Sequence, residues 1–149
     1  MPPPLRPRFN PLTELPKFSQ FKPVEQPRLV TQLELDQLEK LLDQVFAGAH
    51  IDVKFTRHFI ERVNDERNKK QITIKELQQI FNKVYFEYSA KLAGFHKNLE
   101  AVIKDVSTDI NIPFALSVNR QGLELVTKTV MRKPDFKSPD PFYRVKTSA

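Results

Sequence analysis

The chain has 149 residues with 24 Lys and Arg against 18 Asp and Glu, which is one domain's worth of material, or one core and an arm, at a formal charge of +6. The absence of Cys excludes disulfides, zinc ribbons, thiolate nucleophiles and iron–sulfur ligation together, and fits a reducing compartment or a protein that does not depend on redox state. Only three glycines occur, Gly48, Gly94 and Gly122, too far apart for a Walker loop or a dinucleotide fingerprint.

Eight of the twelve prolines fall in the first 27 residues. A proline every few residues forbids helix and breaks any strand ladder, so residues 1–30 are predicted to be an extended Pro-rich arm. Its charge is positive, and Phe9, Leu12, Phe18 and Phe21 recur among the prolines. A plain linker is Gly/Ser-rich or charged; apolar side chains spaced in this way suit an arm laid on a partner's surface, the other reading of the stretch being a disordered tail. No apolar run is long enough for a signal peptide or a membrane span, so the expectation is a soluble protein without a membrane partner.

Residues 31–48 are predicted as a connecting amphipathic helix. Thr31 and Glu34 make a capping box, Val30 staples onto Leu35, and Leu35, Leu38, Leu41, Leu42 and Val45 form the apolar stripe. The opposite face, with Glu34, Asp36, Glu39 and Asp43, suits a packed helix and also a surface for the basic arm or a basic neighbour. Residues 52–134 read as an α+β domain. A helix runs from Thr56 to about Glu66, burying Phe55, Phe59, Ile60 and Val63. A second starts at the capping box of Thr73 and Glu76, carries the seam Ile74, Leu77, Phe81, Val84 and Tyr88, and ends before Gly94. The polar turn 68–71 between them makes an αα-hairpin.

After Gly94 the period becomes alternating. Strands are expected at 101–106, 112–118 and 123–132, with a four-residue hairpin loop at 119–122 and Pro113 at a strand start or on an edge. Residues 135–149 lose the period and form a basic aromatic tail with Phe136, Phe142 and Tyr143. The fold class is therefore α+β: an extended N-terminal arm, three helices including an αα-hairpin, then a small antiparallel β-meander.

The chemistry concentrates on the helix at 56–66. His58 and Arg62 are four residues apart and leave one face, and Asp65 follows on it. An imidazole that moves the proton of a 2′-hydroxyl, beside a guanidinium that holds a phosphate, would serve RNA cleavage. The return strand adds Lys128 and Arg132, roughly 13 Å apart at about 3.3 Å per residue, with Thr127 or Thr129 as hydroxyl donors. The same charges equally describe a solvated helix face with Arg57–Glu61 and Arg62–Glu66 pairs. His50, His58 and His96 lack metal-ligand spacing, so no metal or cofactor is expected, and no G-x-S-x-G elbow occurs. Bases cluster in the arm, at 54–70 and at 128–146, a distribution that suits phosphate strands or an acidic protein surface.

Four separated motifs carry a resemblance: Arg57-His58-Phe59-Ile60-Glu61-Arg62-Val63-Asn64-Asp65-Glu66-Arg67-Asn68, Ile72-Thr73-Ile74-Lys75-Glu76-Leu77, Asp109-Ile110-Asn111-Ile112-Pro113-Phe114 and Lys128-Thr129-Val130-Met131-Arg132-Lys133. Over roughly residues 53–140 the chain resembles a small domain of tailed-phage, cyanophage-like proteins. Its helices-then-meander order also resembles, distantly, the barnase, EndoU, colicin and RelE group of nucleases. The phage resemblance implies a virion or assembly component, tethered by the arm along other phage structural proteins and located in the virion or, during assembly, in the host cytoplasm. The nuclease resemblance implies a metal-independent ribonuclease or a domain binding RNA or DNA. In it His58 is the acid/base group, Arg62 and Arg67 hold phosphate, and Lys128, Thr129, Arg132 and Lys133 face the nucleic acid.

Overall fold

The computed structural model describes residues 29–148. The arm expectation, with Phe9, Leu12, Phe18 and Phe21, lies outside the described residues apart from its last two positions. Of those two, Val30 is buried, and Asn64 clamps it. Val30 N–H donates to Asn64 Oδ1 at 2.9 Å, and Asn64 Nδ2 donates back to the Val30 carbonyl at 2.8 Å.

Helix α1 spans Gln32–Phe46 and opens with the capping box predicted at Thr31 and Glu34. It buries Leu35, Leu38, Leu42 and Phe46. Strand β1 (Ile51–Phe55), helix α2 (Arg57–Val63), a 3-10 turn (Glu66–Asn68) and helix α3 (Ile74–Ala93) follow. The rest of the sheet is β2 (Leu99–Asp105), β3 (Ile110–Asn119), β4 (Gly122–Thr127), β5 (Met131–Arg132) and β6 (Phe142–Val145). The strand order is β1-β4-β3-β2-β6, with β5 continuing alongside β3. The class is α+β, and the antiparallel meander β2-β3-β4 lies at its centre.

The sheet is wider than the meander because a parallel strand is added at each edge. β1 runs parallel to β4, and β6 runs parallel to β2. β6 lies inside the stretch 135–149 expected as a tail, and its Tyr143 and Val145 are buried in the core. β1 is an edge strand whose outward N–H groups would be bare, but α1 covers them. Val53 N–H donates to Asp43 Oδ1 at 2.9 Å and Phe55 N–H to Glu39 Oε1 at 3.0 Å. Two carboxylates of the acidic helix face are thus occupied by the sheet of the same domain.

Burial pushes the Asp43 carboxyl up to about 6; the Val53 N–H opposes this, and the neighbouring Asp52 and Glu39 carboxylates add to it. An acid whose folded pKa is raised binds its proton more readily in the folded state, so stability falls as pH rises from about 4 to 6. Asp43→Asn keeps an acceptor for Val53 and removes the titration. Its urea midpoint is expected to fall less than that of the parent over this range; parallel pH profiles for the two proteins would contradict the assignment.

The return strand differs from the expectation in one respect that shapes the site. β4 stops at Thr127, residues 128–130 leave the ladder, and pairing resumes with Met131 opposite Asn111. Pro113 lies inside the central strand β3, not at its start or on an edge. In an antiparallel strand the N–H and C=O of one residue point to the same side, and the Pro113 carbonyl accepts from Lys128 N–H at 2.9 Å. The donor that proline lacks therefore falls where the neighbouring strand bulges away. Asn111 fills the gap, its Nδ2 donating to the carbonyls of Asp109, Met131 and Lys133 at 3.0, 3.3 and 2.9 Å. The hairpin loop before β4 is two residues, since Asn119 pairs with Gly122. Gly122 has φ 136°, and a Cβ there would lie 2.5 Å from the His50 carbonyl oxygen, so glycine is required.

Among the described residues no helix is long and apolar enough to cross a membrane.

Candidate nucleic-acid interface

The bulge leaves a groove of about 700 Å³ between α2, the 3-10 turn and residues 129–135. Two threonines fix α2 against the sheet. Thr56 Oγ1 accepts from Phe59 N–H as the helix cap and donates to the Thr127 carbonyl at 3.0 Å, while Thr127 Oγ1 donates to the Lys54 carbonyl at 3.1 Å. Asn68, buried, ties the other end: its Nδ2 donates to the Arg62 carbonyl at 2.8 Å and its Oδ1 accepts from Arg132 N–H at 3.0 Å. Nothing in the polar turn 68–71 distinguished this asparagine in the sequence.

His58, Arg62, Arg67, Thr129, Arg132 and Lys133 all line the groove. Arg62 Nε donates to His58 Nε2 at 3.1 Å, and His58 Nδ1 lies 3.5 Å from Glu61 Oε1. An imidazole that accepts at Nε2 carries its proton at Nδ1, on the Glu61 side. Asp65 joins the two arginines. Arg62 Nη1 reaches its Oδ2 at 3.3 Å, and Arg67 approaches through Nη2 at 2.9 Å and through its backbone N–H, also at 2.9 Å. The side-chain and backbone hydrogen bonds from Arg67 hold the Asp65 carboxyl far below the usual carboxylate range, and Asp65 in turn raises Arg67.

Arg132 and Lys128 do not have the positions expected of them. The guanidinium of Arg132 has five N–H groups, and each donates to the protein. Nε donates to the Lys70 carbonyl, Nη1 to Glu76 Oε2 and the Thr108 carbonyl, and Nη2 to Glu76 Oε1 and the Gln71 carbonyl. Its side chain is 12% exposed, so it forms the wall of the groove and has no donor left for a phosphate. Lys128 lies outside the groove and pairs with Glu100. The break at residues 128–130 ends the single strand face on which the two bases were expected to hold two phosphates.

The lining carries five bases, Arg62, Arg67, Lys69, Arg132 and Lys133, against Asp65 and Asp135. Arg132 is neutralised by Glu76, and Asp65 offsets one charge of the Arg62 and Arg67 pair, so with Lys69, Lys133 and Asp135 the rest of the lining keeps a net charge of +2. Arg67, although bonded to Asp65, has 74% of its side chain exposed. Val130, Met131 and Pro134 add an apolar part to the lining. Among the described residues no group of three or more His, Cys, Asp or Glu could hold a metal ion. Comparisons with protein-family models, curated proteins and solved structures found no match to this chain.

Proposed function

We propose that the chain is an RNA-binding domain whose groove takes the phosphodiester backbone, with His58 turned toward the 2′-hydroxyl. The observation that carries this reading is the meeting in one groove of His58 and Arg62 from α2, Arg67 from the 3-10 turn and Lys133 from beyond β5. Guanidinium and ammonium groups around an imidazole supply what a ribose phosphate needs: charge for the anion and a nitrogen for the hydroxyl. Proton transfer at His58 Nε2 requires Arg62 to release that nitrogen, and a phosphate bound to Arg62 provides the reason to do so.

Binding of a labelled RNA strand, followed by anisotropy against salt, tests this. Arg67→Ala with Lys133→Ala is expected to weaken binding about tenfold or more and to make the salt dependence shallower by about 1.4 in log–log slope, for two single-strand phosphate contacts. An unchanged slope would end the proposal. Strand cleavage in the same tubes that disappears in His58→Ala would add chemistry to binding.

A phage virion or assembly component is a second reading, favoured by the clamp of Val30 on Asn64, which gives the segment before it a fixed anchor on the body. Other phage structural proteins are the partners proposed for Phe9, Leu12, Phe18 and Phe21. Deleting residues 1–28 is expected to abolish incorporation into particles while leaving the thermal unfolding midpoint unchanged. Particles that still contain the shortened chain would refute this reading.

A further inference from the structure

One wall of the groove ends at Asp135, and the next residue begins an aromatic cluster that the groove itself does not use. The rings of Phe136 and Phe142 meet edge to face at 6.2 Å, and the Arg144 guanidinium lies over the Phe142 ring at 5.1 Å. Along β6, Tyr143 and Val145 are buried against the helices, so Phe142 and Arg144 point to the opposite face of the sheet. Arg144 is exposed. Lys104, in register with Arg144, reaches the Pro134 carbonyl at 3.3 Å, between this cluster and the groove.

We infer that the RNA strand leaves the groove over this cluster and that one unpaired base stacks on the exposed guanidinium of Arg144, making single-stranded RNA the ligand. This rests on the groove reading above and adds to it the strand's path and its single-stranded character. A planar guanidinium held over an aromatic ring is a stacking platform for a base of any identity, and the bases of a duplex are already stacked on one another. The charge agrees: residues 133–146 hold Lys133, Lys137, Arg144 and Lys146 against Asp135 and Asp140. The backbone thus has a positive path on either side of the stacked base.

The full chain is titrated with a labelled short oligoadenylate, with the same strand made abasic, and with a duplex of equal length. Base stacking is expected to favour the intact strand over the other two by about tenfold. Arg144→Lys keeps the charge and loses the plane. It is expected to bring the intact strand down to the abasic level while leaving abasic and duplex binding unchanged. Arg67→Ala is expected to weaken all three ligands together. If Arg144→Lys binds all three like the parent while Arg67→Ala weakens them, the platform is refuted and the groove stands. If Arg67→Ala binds all three like the parent, the groove reading is refuted, and the strand path with it.

Discussion

Replacing Arg132 with Ala is expected to lower folding stability by about 3 kcal/mol, because removing one member of a mostly buried, hydrogen-bonded pair leaves the other without compensation. The partner is Glu76, 2.9 Å away with its side chain 18% exposed. Three carbonyls, those of Lys70, Gln71 and Thr108, also lose their donor. Arg132→Lys is expected to recover little, since one ammonium cannot reach acceptors arranged around a planar fork. Urea denaturation of both variants checks this. A fully stable Arg132→Ala with weakened RNA binding would return this residue to the role of a strand contact.

The second large effect is expected at Asp105, at the end of β2. Its side chain is fully buried and accepts four hydrogen bonds. Thr108 and Thr147 donate through their hydroxyls at 2.6 and 2.7 Å, and Ser107 and Thr147 through their backbone N–H groups, both at 3.1 Å. Asp105→Ala leaves these donors facing an empty site and is expected to cost about 3 kcal/mol or more. Thr147→Ala removes one hydroxyl only and is expected to cost about 1 kcal/mol. The hierarchy is the test: thermal unfolding midpoints falling equally in both variants would mean that Asp105 does not organise this corner.

What the sequence revealed was local. The capping boxes at Thr31 and Thr73 are each made within one helical turn, and His58 and Arg62 are one turn apart, so spacing alone located them. Glu76 shows where this stops. Its cap to Thr73 is visible in the sequence, while the same carboxylate's pairing with Arg132 joins positions 56 residues apart. β1 and β6 were missed for a related reason: the alternation of β1, Ile51-Asp52-Val53-Lys54-Phe55, was in the sequence but only five residues long, β6 has four residues, and each becomes a strand by lying beside a distant parallel partner. Pro113 was the one local sign of the bulge. A proline in an apolar alternating run indicates an edge or a break in the neighbour, and here the break also determined which bases reach the groove.

The parallel edge at β6 has a consequence for how the chain is made. Synthesis delivers β2 well before Phe142, the first residue of the strand that covers it. Until then the N–H groups of Val102 and Val106 lack the carbonyls of Pro141 and Val145 that later accept from them. The waiting edge includes Ala101, Val102 and Ile103, an apolar run of the kind that pairs with other copies when left open. A nascent or proteolysed chain ending before Phe142 is therefore exposed to aggregation from an edge that the finished sheet does not present.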